Sequence, residues 1–327
     1  MIKKEDIYKH LKKLDSKEKM KHTFSDYCDL WMENNMPKLK PSSISKYNSM
    51  LDKHILPFFK NYKIQEMNTS LINEFSNTLL YKEKLSVKTT RDILILLHEI
   101  IIYIQNKTGY NFSIEILYPK AERKELRVLS LQEQKDFIQF LQEDIDLYKI
   151  SILLTLFTGL RIGEICGLQW KHISFETKTL QIRQTVQRIK NMDPTSNQKT
   201  TLAIGSPKTF SSIRTIPLTD KLLSLLEPFK NEDSEIFIMT GTLHPMDPRK
   251  LQRKLNSYMK ELNIEGVHFH TLRHTFATRY IELGCDTKTL SEILGHSNIS
   301  ITMNRYVHPS LDFKRKNIEK LENTIAQ

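Results

Sequence analysis

The sequence predicts a mainly α-helical chain in two parts: an N-terminal helical bundle, then a larger, mostly helical C-terminal domain with a small antiparallel β-sheet. Three observations carry this reading. From residue 23 to about 107 the apolar pattern is helical throughout, whereas 178–188 and 212–218 alternate with the period of a strand. Between the two patterns, 118–127 has no periodicity, many charges and Pro119, which marks a domain boundary. Glycine is scarce, 9 residues in 327, under half the roughly 7% of an ordinary chain. Tight β-turns ask for positive φ, so this composition argues against a barrel or sandwich.

The elements follow in order. Residues 1–20 are charged and read as a tail. The bundle occupies 21–117, and its first helix runs through Tyr27, Leu30, Trp31 and Met32. A second starts near Pro41-Ser42-Ser43 and is expected to end before Pro57, because proline breaks a helix interior. A third begins around Thr69-Ser70. The longest runs from Ser86 through an Ile/Leu-rich segment to Lys107, where Gly109 can stop it. Four helices with short connections make a small bundle. Residues 118–128 form the linker.

In the larger domain, 129–309, Ser130 and Glu133 make a capping box, and the helix over 147–158 ends at Gly159. The two alternating stretches supply the sheet. Asp247-Pro248 is an N-cap followed by proline at the first helical position. Helices are expected at about 248–262, 271–283 and 287–294, with Gly284 and Gly295 as stops. The segment 310–327 reads as a C-terminal helix carrying Leu311, Phe313, Ile318, Leu321 and Ile325.

Bulk properties exclude several classes. The longest apolar stretches, 93–104 and 150–160, fall short of the roughly 20 residues a bilayer span needs. The first 15 residues lack the hydrophobic core of a secretory signal. Cys28, Cys166 and Cys285 form no CxxC pair, which suits a buried, reduced role in a reducing cytoplasm. With no GxGxxG or GxxxxGK[ST] loop, no nucleotide cofactor is expected.

Charge points to a polyanion. Lys plus Arg number 49 against 38 Asp plus Glu, a net +11. Residues 1–120 carry +6 and 121–327 carry +5, as suits a protein that holds a polyanion from two sides. In 178–214, Lys178, Arg183, Arg188, Lys190, Lys199, Lys208 and Arg214 face one acid, Asp193. About twenty residues, 188–207, rich in Asn, Thr and Lys, read as a basic β-hairpin or loop. Arg183, Arg188, Lys190, Lys199 and Arg214 are candidate contacts to that polyanion; a solvated loop is the alternative.

The chemistry-bearing residues sit in dense boxes. Thr158-Gly-Leu-Arg161-Ile-Gly-Glu164 places a guanidinium at a helix start, with a carboxylate at i+3 to orient it. His270-Thr-Leu-Arg273 puts an imidazole and a second guanidinium on one helix face. Leu294-Gly-His296 follows a glycine stop, Arg305-Tyr306-Val-His308 comes about ten residues on, and Lys208 enters a strand. His270 and His274 have the i,i+4 spacing of a zinc pair. Yet the segment reads HTLRH, with no glutamate base and with an arginine that repels a cation, so no metal is expected. Gly159, Gly163 and Gly167 recur every four residues, which reads as close helix packing.

Together these boxes resemble the tyrosine recombinase (phage integrase) family, in particular integrases of integrative and conjugative elements. TGLRIGE, the lysine before a strand, HTLRHTFAT, LGHSNISIT and the RYVH tyrosine box stand in family order from Thr158 to His308. The resemblance implies a core-binding domain in 21–117 and a catalytic domain in 129–309. It implies Arg161, Lys208, His270, Arg273 and His296 as the active-site set, supported by Glu164, with Tyr306 as nucleophile. His274 is a common companion in that helix and is not carried over as catalytic.

Such residue types suit phosphoryl transfer. The pentavalent transition state gains negative charge, and arginine forks aim donors at its non-bridging oxygens. Tyr306, with an ordinary pKa near 10, must lose a proton to attack, and His270 and the surrounding cations can assist. Lys208 is the expected acid for the 5′-oxygen. The expected product is a 3′-phosphotyrosyl linkage with a free 5′-hydroxyl. The bond energy is kept, so religation needs neither ATP nor metal.

The resemblance also implies double-stranded DNA attachment sites and a homotetramer on DNA, and an excisionase or DNA-bending protein is an expected accessory. The C-terminal helix is expected to dock on a neighbouring protomer, its own domain being the alternative. The short segment before the bundle leaves little room for the arm-binding domain many relatives carry. Integration and excision of a mobile element is the first reading. A Xer-like chromosome-dimer resolvase, a type IB topoisomerase-like enzyme and a catalytically silent DNA-binding protein are the alternatives.

Overall fold

The computed structural model describes residues 23–120, 126–191, 195–207, 210–306, 315, 318–319 and 322–323. The chain divides into two compact units, Met1–Lys124 and Glu125–Gln327. The expected C-terminal docking helix lies almost wholly outside the described residues, as do Lys208 and His308.

The first unit is helical. α1 (Phe24–Asn35) opens on a reciprocal capping box between Thr23 and Asp26. α2 (Pro41–Met50) itself ends before Pro57, as the sequence suggested, but the helical path does not stop there. Instead a π-turn over Leu51–Ile55 leads straight into α3 (Leu56–Phe59). Proline's missing N–H and bulky ring are costly in a regular helix, and the wider π-turn just before Pro57 loosens the ladder at that point. The continued helix buries Phe59 against Phe24, Phe58 and Phe75.

α4 (Thr69–Asn77) is capped by Asn68, and α5 (Val87–Thr108) by Ser86. α5 ends at Gly109, whose φ of 72° supplies the left-handed stop. Ile93, Leu97, Ile100 and Ile104 fall on one face of α5 and are fully buried, while Ile95 and Ile102 face outward. That stripe, with Phe24, Ile55, Phe75 and Leu79, is the core of the unit.

In the second unit, α6 (Leu131–Gln142) starts on the Ser130–Glu133 capping box, and Arg127 clamps Glu133 from outside. α7 (Leu147–Thr158) is apolar nearly all round and runs through the core, packing on α6 and on helices that follow it. The short α8 (Ile162–Cys166) comes next. β1 (Ile173–Ser174), β2 (Thr179–Ile182) and β5 (Arg214–Pro217) form an antiparallel sheet in the order β1-β2-β5, with Leu180 opposite Ile173 and Ile216.

The segment after β2 is a hairpin, not a loop. β3 (Thr185–Lys190) pairs with β4 (Thr200–Gly205) from Thr185 opposite Gly205 to Lys190 opposite Thr200. Gly163 does not serve helix packing, as its four-residue repeat suggested. A Cβ there would lie 2.6 Å from the carbonyl oxygen of Val186 and 2.5 Å from Thr185 Oγ1, so its bare backbone lets α8 press on β3.

Among the described residues five more α-helices follow: α9 (Asp220–Leu226), α10 (Pro248–Glu261), α11 (Phe269–Glu282), α12 (Thr287–Leu294) and α13 (Ile299–Tyr306). α10 begins on the Asp247 cap with Pro248 in its first turn. α11 starts two residues before the sequence pattern indicated, because His268 and Thr271 complete a capping arrangement there. α11 packs on α7.

Candidate active site

The site is assembled around the ends of α7, α11 and α12. α7 stops at Gly159 (φ 66°) and α12 at Gly295 (φ 64°). His296 follows its stop directly, and Arg161 comes after its own with only Leu160 between. Arg273 lies between the stops, 1% exposed on α11. Its Nη1 donates to the carbonyl of Gly159 at 2.7 Å, and its Nη2 donates to the carbonyl of Leu294 at 2.8 Å. One buried guanidinium thus ties together the two turns that present Arg161 and His296. Arg161 closes the same link from above, donating to the carbonyl of Gly295 at 3.3 Å.

Beneath Arg161 lies a buried ionic base. Glu164, 3% exposed, accepts from Arg161 Nη1 at 2.6 Å and from the Arg161 backbone N–H at 2.9 Å. Arg214 grips both carboxylate oxygens, at 3.0 and 2.8 Å, and its Nε donates to the carbonyl of Ile293. Burial alone would raise the Glu164 carboxyl. The hydrogen bonds and charge of Arg214, with those of Arg161, outweigh it and hold the group down at about 2.

Three guanidiniums around one carboxylate leave an excess of positive charge, and Arg161 at 35% exposure presents it outward. Burial, with the neighbouring cations Arg161 and Arg214, lowers the Arg273 guanidinium to about 9, still charged at neutral pH. The arrangement is a receptor for an anionic oxygen.

The imidazoles and the tyrosine complete the cluster. Arginine only donates, so Nε2 of His296 accepts from Arg273 Nη2 at 2.9 Å. Nδ1 of His296 then carries the proton and donates to Thr302 Oγ1 on α13 at 2.7 Å. Tyr306, at the end of α13, is 6% exposed, with its ring parallel to that of His296 at 6.5 Å between centroids. Its hydroxyl meets His274 Nδ1 at 2.8 Å. His270 is exposed on α11 and packs its ring edge-to-face with His274 at 4.5 Å.

The structure therefore brings Arg161, Glu164, His270, Arg273, His296 and Tyr306 into one region, while Lys208 falls outside the described residues. Of the candidate DNA contacts, Arg183, Lys190 and Lys199 are exposed. Arg188 instead pairs with Asp247, its Nη2 2.7 Å from Oδ2.

Arg214 is no surface residue. It is buried under the site on Glu164, which corrects its reading as a DNA contact. Alternation in the strand held the signal, since Arg214 shares a face with the buried Ile216. The sequence reading also passed over His274 and Thr302, each of which touches a site residue. His274 lies one helical turn beyond His270, on the face that carries the site.

The chain matches the phage integrase family over residues 127–312 and the phage integrase N-terminal SAM-like domain over 23–80. It is similar to a XerC-like tyrosine recombinase of Caldanaerobacter subterraneus subsp. tengcongensis, 30% identical over 92% of this chain and 83% of the relative. It is also similar to the ICEBs1 integrase of Bacillus subtilis (strain 168), 25% identical over 88% of this chain and 79% of the relative. Its fold matches that of the Tn1549 transposon integrase solved with a circular intermediate DNA. The TM-score is 0.73 at 22% identity, covering 90% of this chain and 99% of that one. The chain belongs to the phage integrase family, the tyrosine recombinases, as the boxes between Thr158 and His308 imply.

Proposed function

We propose that this tyrosine recombinase cuts and rejoins duplex DNA at specific sites through Tyr306, integrating and excising a mobile element. One observation carries the assignment of the nucleophile. A buried tyrosine hydroxyl lies on an imidazole and stacks beside His296, which Arg273 binds, within a cluster whose uncompensated charge is positive. In this reading Arg161, Arg273 and His296 hold the non-bridging oxygens of the scissile phosphate. The arriving anion favours a protonated His296, which then donates from Nε2. The phenolate oxygen bonds to phosphorus as the P–O5′ bond breaks, and Lys208 gives the 5′-oxygen its proton.

Both units would clamp the duplex, mainly by phosphate contacts. The cations Arg183, Lys190 and Lys199 on and beside the β3–β4 hairpin belong to that surface. Assembly of four protomers on two duplexes, the C-terminal segment docking on a neighbour, and help from an excisionase or bending protein complete the proposal. The likeness to the ICEBs1 integrase favours a mobile element over chromosome-dimer resolution, which shares the chemistry.

The test is covalent trapping. A nicked suicide duplex carrying an attachment sequence found by footprinting should give a protein–DNA adduct in EDTA with the wild-type chain and none with Tyr306→Phe. No Tyr306-dependent adduct would overturn the enzyme reading. Strand exchange that requires a second attachment site separates the recombinase from a topoisomerase.

A further inference from the structure

Tyr306 can attack phosphorus only after its hydroxyl gives up a proton, and both the hydroxyl's neighbourhood and its ring are buried. We propose that His274, the residue one turn beyond His270, is the catalytic group that takes this proton. The proposal rests on Tyr306 being the nucleophile, as argued above. Its geometry is direct. His274 Nδ1 and the Tyr306 oxygen are 2.8 Å apart, within the reach of a general base without an intervening water. His274 is itself 7% exposed and Tyr306 6%, so the proton leaves through protein and not into bulk water.

His270, to which the sequence points for this task, is exposed and borders the pair through the ring of His274. His274 sits next to Arg273, whose guanidinium makes the links between the two glycine-stopped turns. The base is therefore placed by the same helical turn that organises the phosphate donors.

The step balances. As the Tyr306 oxygen bonds to phosphorus, its O–H bond breaks and an N–H bond forms at His274 Nδ1. The P–O5′ bond breaks, and the 5′-oxygen takes its proton from Lys208. On religation the 5′-hydroxyl attacks and returns its proton to Lys208. The P–O bond to Tyr306 then breaks, and His274 gives its Nδ1 proton back to the phenolate. For Nδ1 to accept at the outset, His274 carries its resting proton on Nε2.

Among the described residues, the charged and titratable groups around the pair are His270 and Arg273 from α11, Tyr306 itself from α13, and His296 after α12. Arg161 before α8, Glu164 on α8 and Arg214 from β5 act on the pair through Arg273. The cations favour the phenolate. The scissile phosphate offsets the charge that appears on His274.

Single-turnover cleavage of the nicked suicide duplex tests this, run with an ordinary scissile phosphate and with a 5′-bridging phosphorothiolate. The phosphorothiolate's sulfur leaves without protonation, so it rescues a missing acid but not a missing base. His274→Ala and His274→Gln should both cleave about 10²-fold or more slowly at neutral pH. They should bind DNA as the wild type does, the phosphorothiolate should not rescue them, and the deficit should shrink as pH rises.

Cleavage within threefold of wild type, restoration by Gln, or rescue by phosphorothiolate would each overturn the proposal. Gln keeps a hydrogen bond but cannot take the proton, so recovery there would mean a purely positioning role. The wild-type chain gives a check that needs no variant: on the phosphorothiolate its rate should fall on the acid side through the imidazole range, and a flat limb between roughly pH 5 and 8 refutes the proposal. A wild-type chain that forms no adduct at all refutes the nucleophile reading instead, and this inference with it.

Discussion

Arg214 and Lys190 belong to strands of the same unit, yet their cations meet opposite environments. Arg214 begins β5 with its side chain 6% exposed and its guanidinium held by both oxygens of Glu164 and by the carbonyl of Ile293. Lys190 ends β3 exposed, near the tip of a two-stranded hairpin. A count of positive charge between 178 and 214 treats the two alike. The structure separates them into a charge that fixes shape and one that faces the solvent and any polyanion in it. The difference lies in desolvation: a buried guanidinium is tolerable only beside a carboxylate and carbonyls that replace its water, whereas an exposed ammonium keeps its hydration.

Substitutions can sharpen that contrast, and the largest effect belongs to the proposed nucleophile. Tyr306→Phe should abolish the covalent adduct while leaving gel-shift affinity for attachment DNA near wild type, since the hydroxyl is not a phosphate anchor. Next, Arg161→Ala and Arg273→Ala should each lower single-turnover cleavage by roughly 10³-fold or more. A loss under tenfold would place them outside the site. The two should then part company in a melting experiment. Arg273→Ala should also lower the Tm clearly, because Gly159 and Leu294 lose a shared donor, whereas Arg161, already a third exposed, should change it little.

Glu164→Gln attacks the buried base itself and should cost about 3–5 kcal/mol in denaturant unfolding, because Arg214 is left beside a neutral amide. Acid should act on the same group. Its carboxyl is depressed from 4.5 to about 2, so its contribution is complete above pH 4.5 and is lost as pH falls towards 2. The loss amounts to about 3 kcal/mol at 1.36 kcal/mol per unit. Unfolding measured between pH 5 and 2 should fall more steeply for wild type than for Glu164→Gln. Equal slopes would mean that Arg214 does not hold the carboxylate ionised.

The smallest effect belongs to the hairpin. Lys190→Ala with Lys199→Ala should weaken DNA binding and reduce its salt slope by roughly 1 per lost phosphate contact. Cleavage at saturating protein should stay unchanged. An unaltered salt dependence would return the hairpin to a solvated role.

Much of this layout is written in local chemistry, and that part was legible. Ser86 and Gly109 bracket α5, Ser130 with Glu133 starts α6, and Gly159 and Gly295 end the helices beside Arg161 and His296, because caps and positive φ are properties of neighbouring residues. What escaped depends on partners distant in sequence or on tolerance of strain. Pro57 reads as a stop, yet a π-turn carries the helix past it. Arg214 reads as one more surface cation until Glu164, 50 residues away, is placed against it. The contact between His274 and Tyr306 spans 32 residues and two helices, and no spacing rule within one helix reports it.

The clamp made by Arg273 has a consequence for when the protein can be dangerous. Its guanidinium joins a carbonyl 114 residues upstream to one 21 residues downstream. The proposed phosphate receptor therefore does not exist on any short stretch of chain. A nascent or partly unfolded molecule carries every reactive side chain it has already made and still has nowhere to seat a phosphodiester. The geometry that joins Arg161 and His296 thus appears only with completion of this fold.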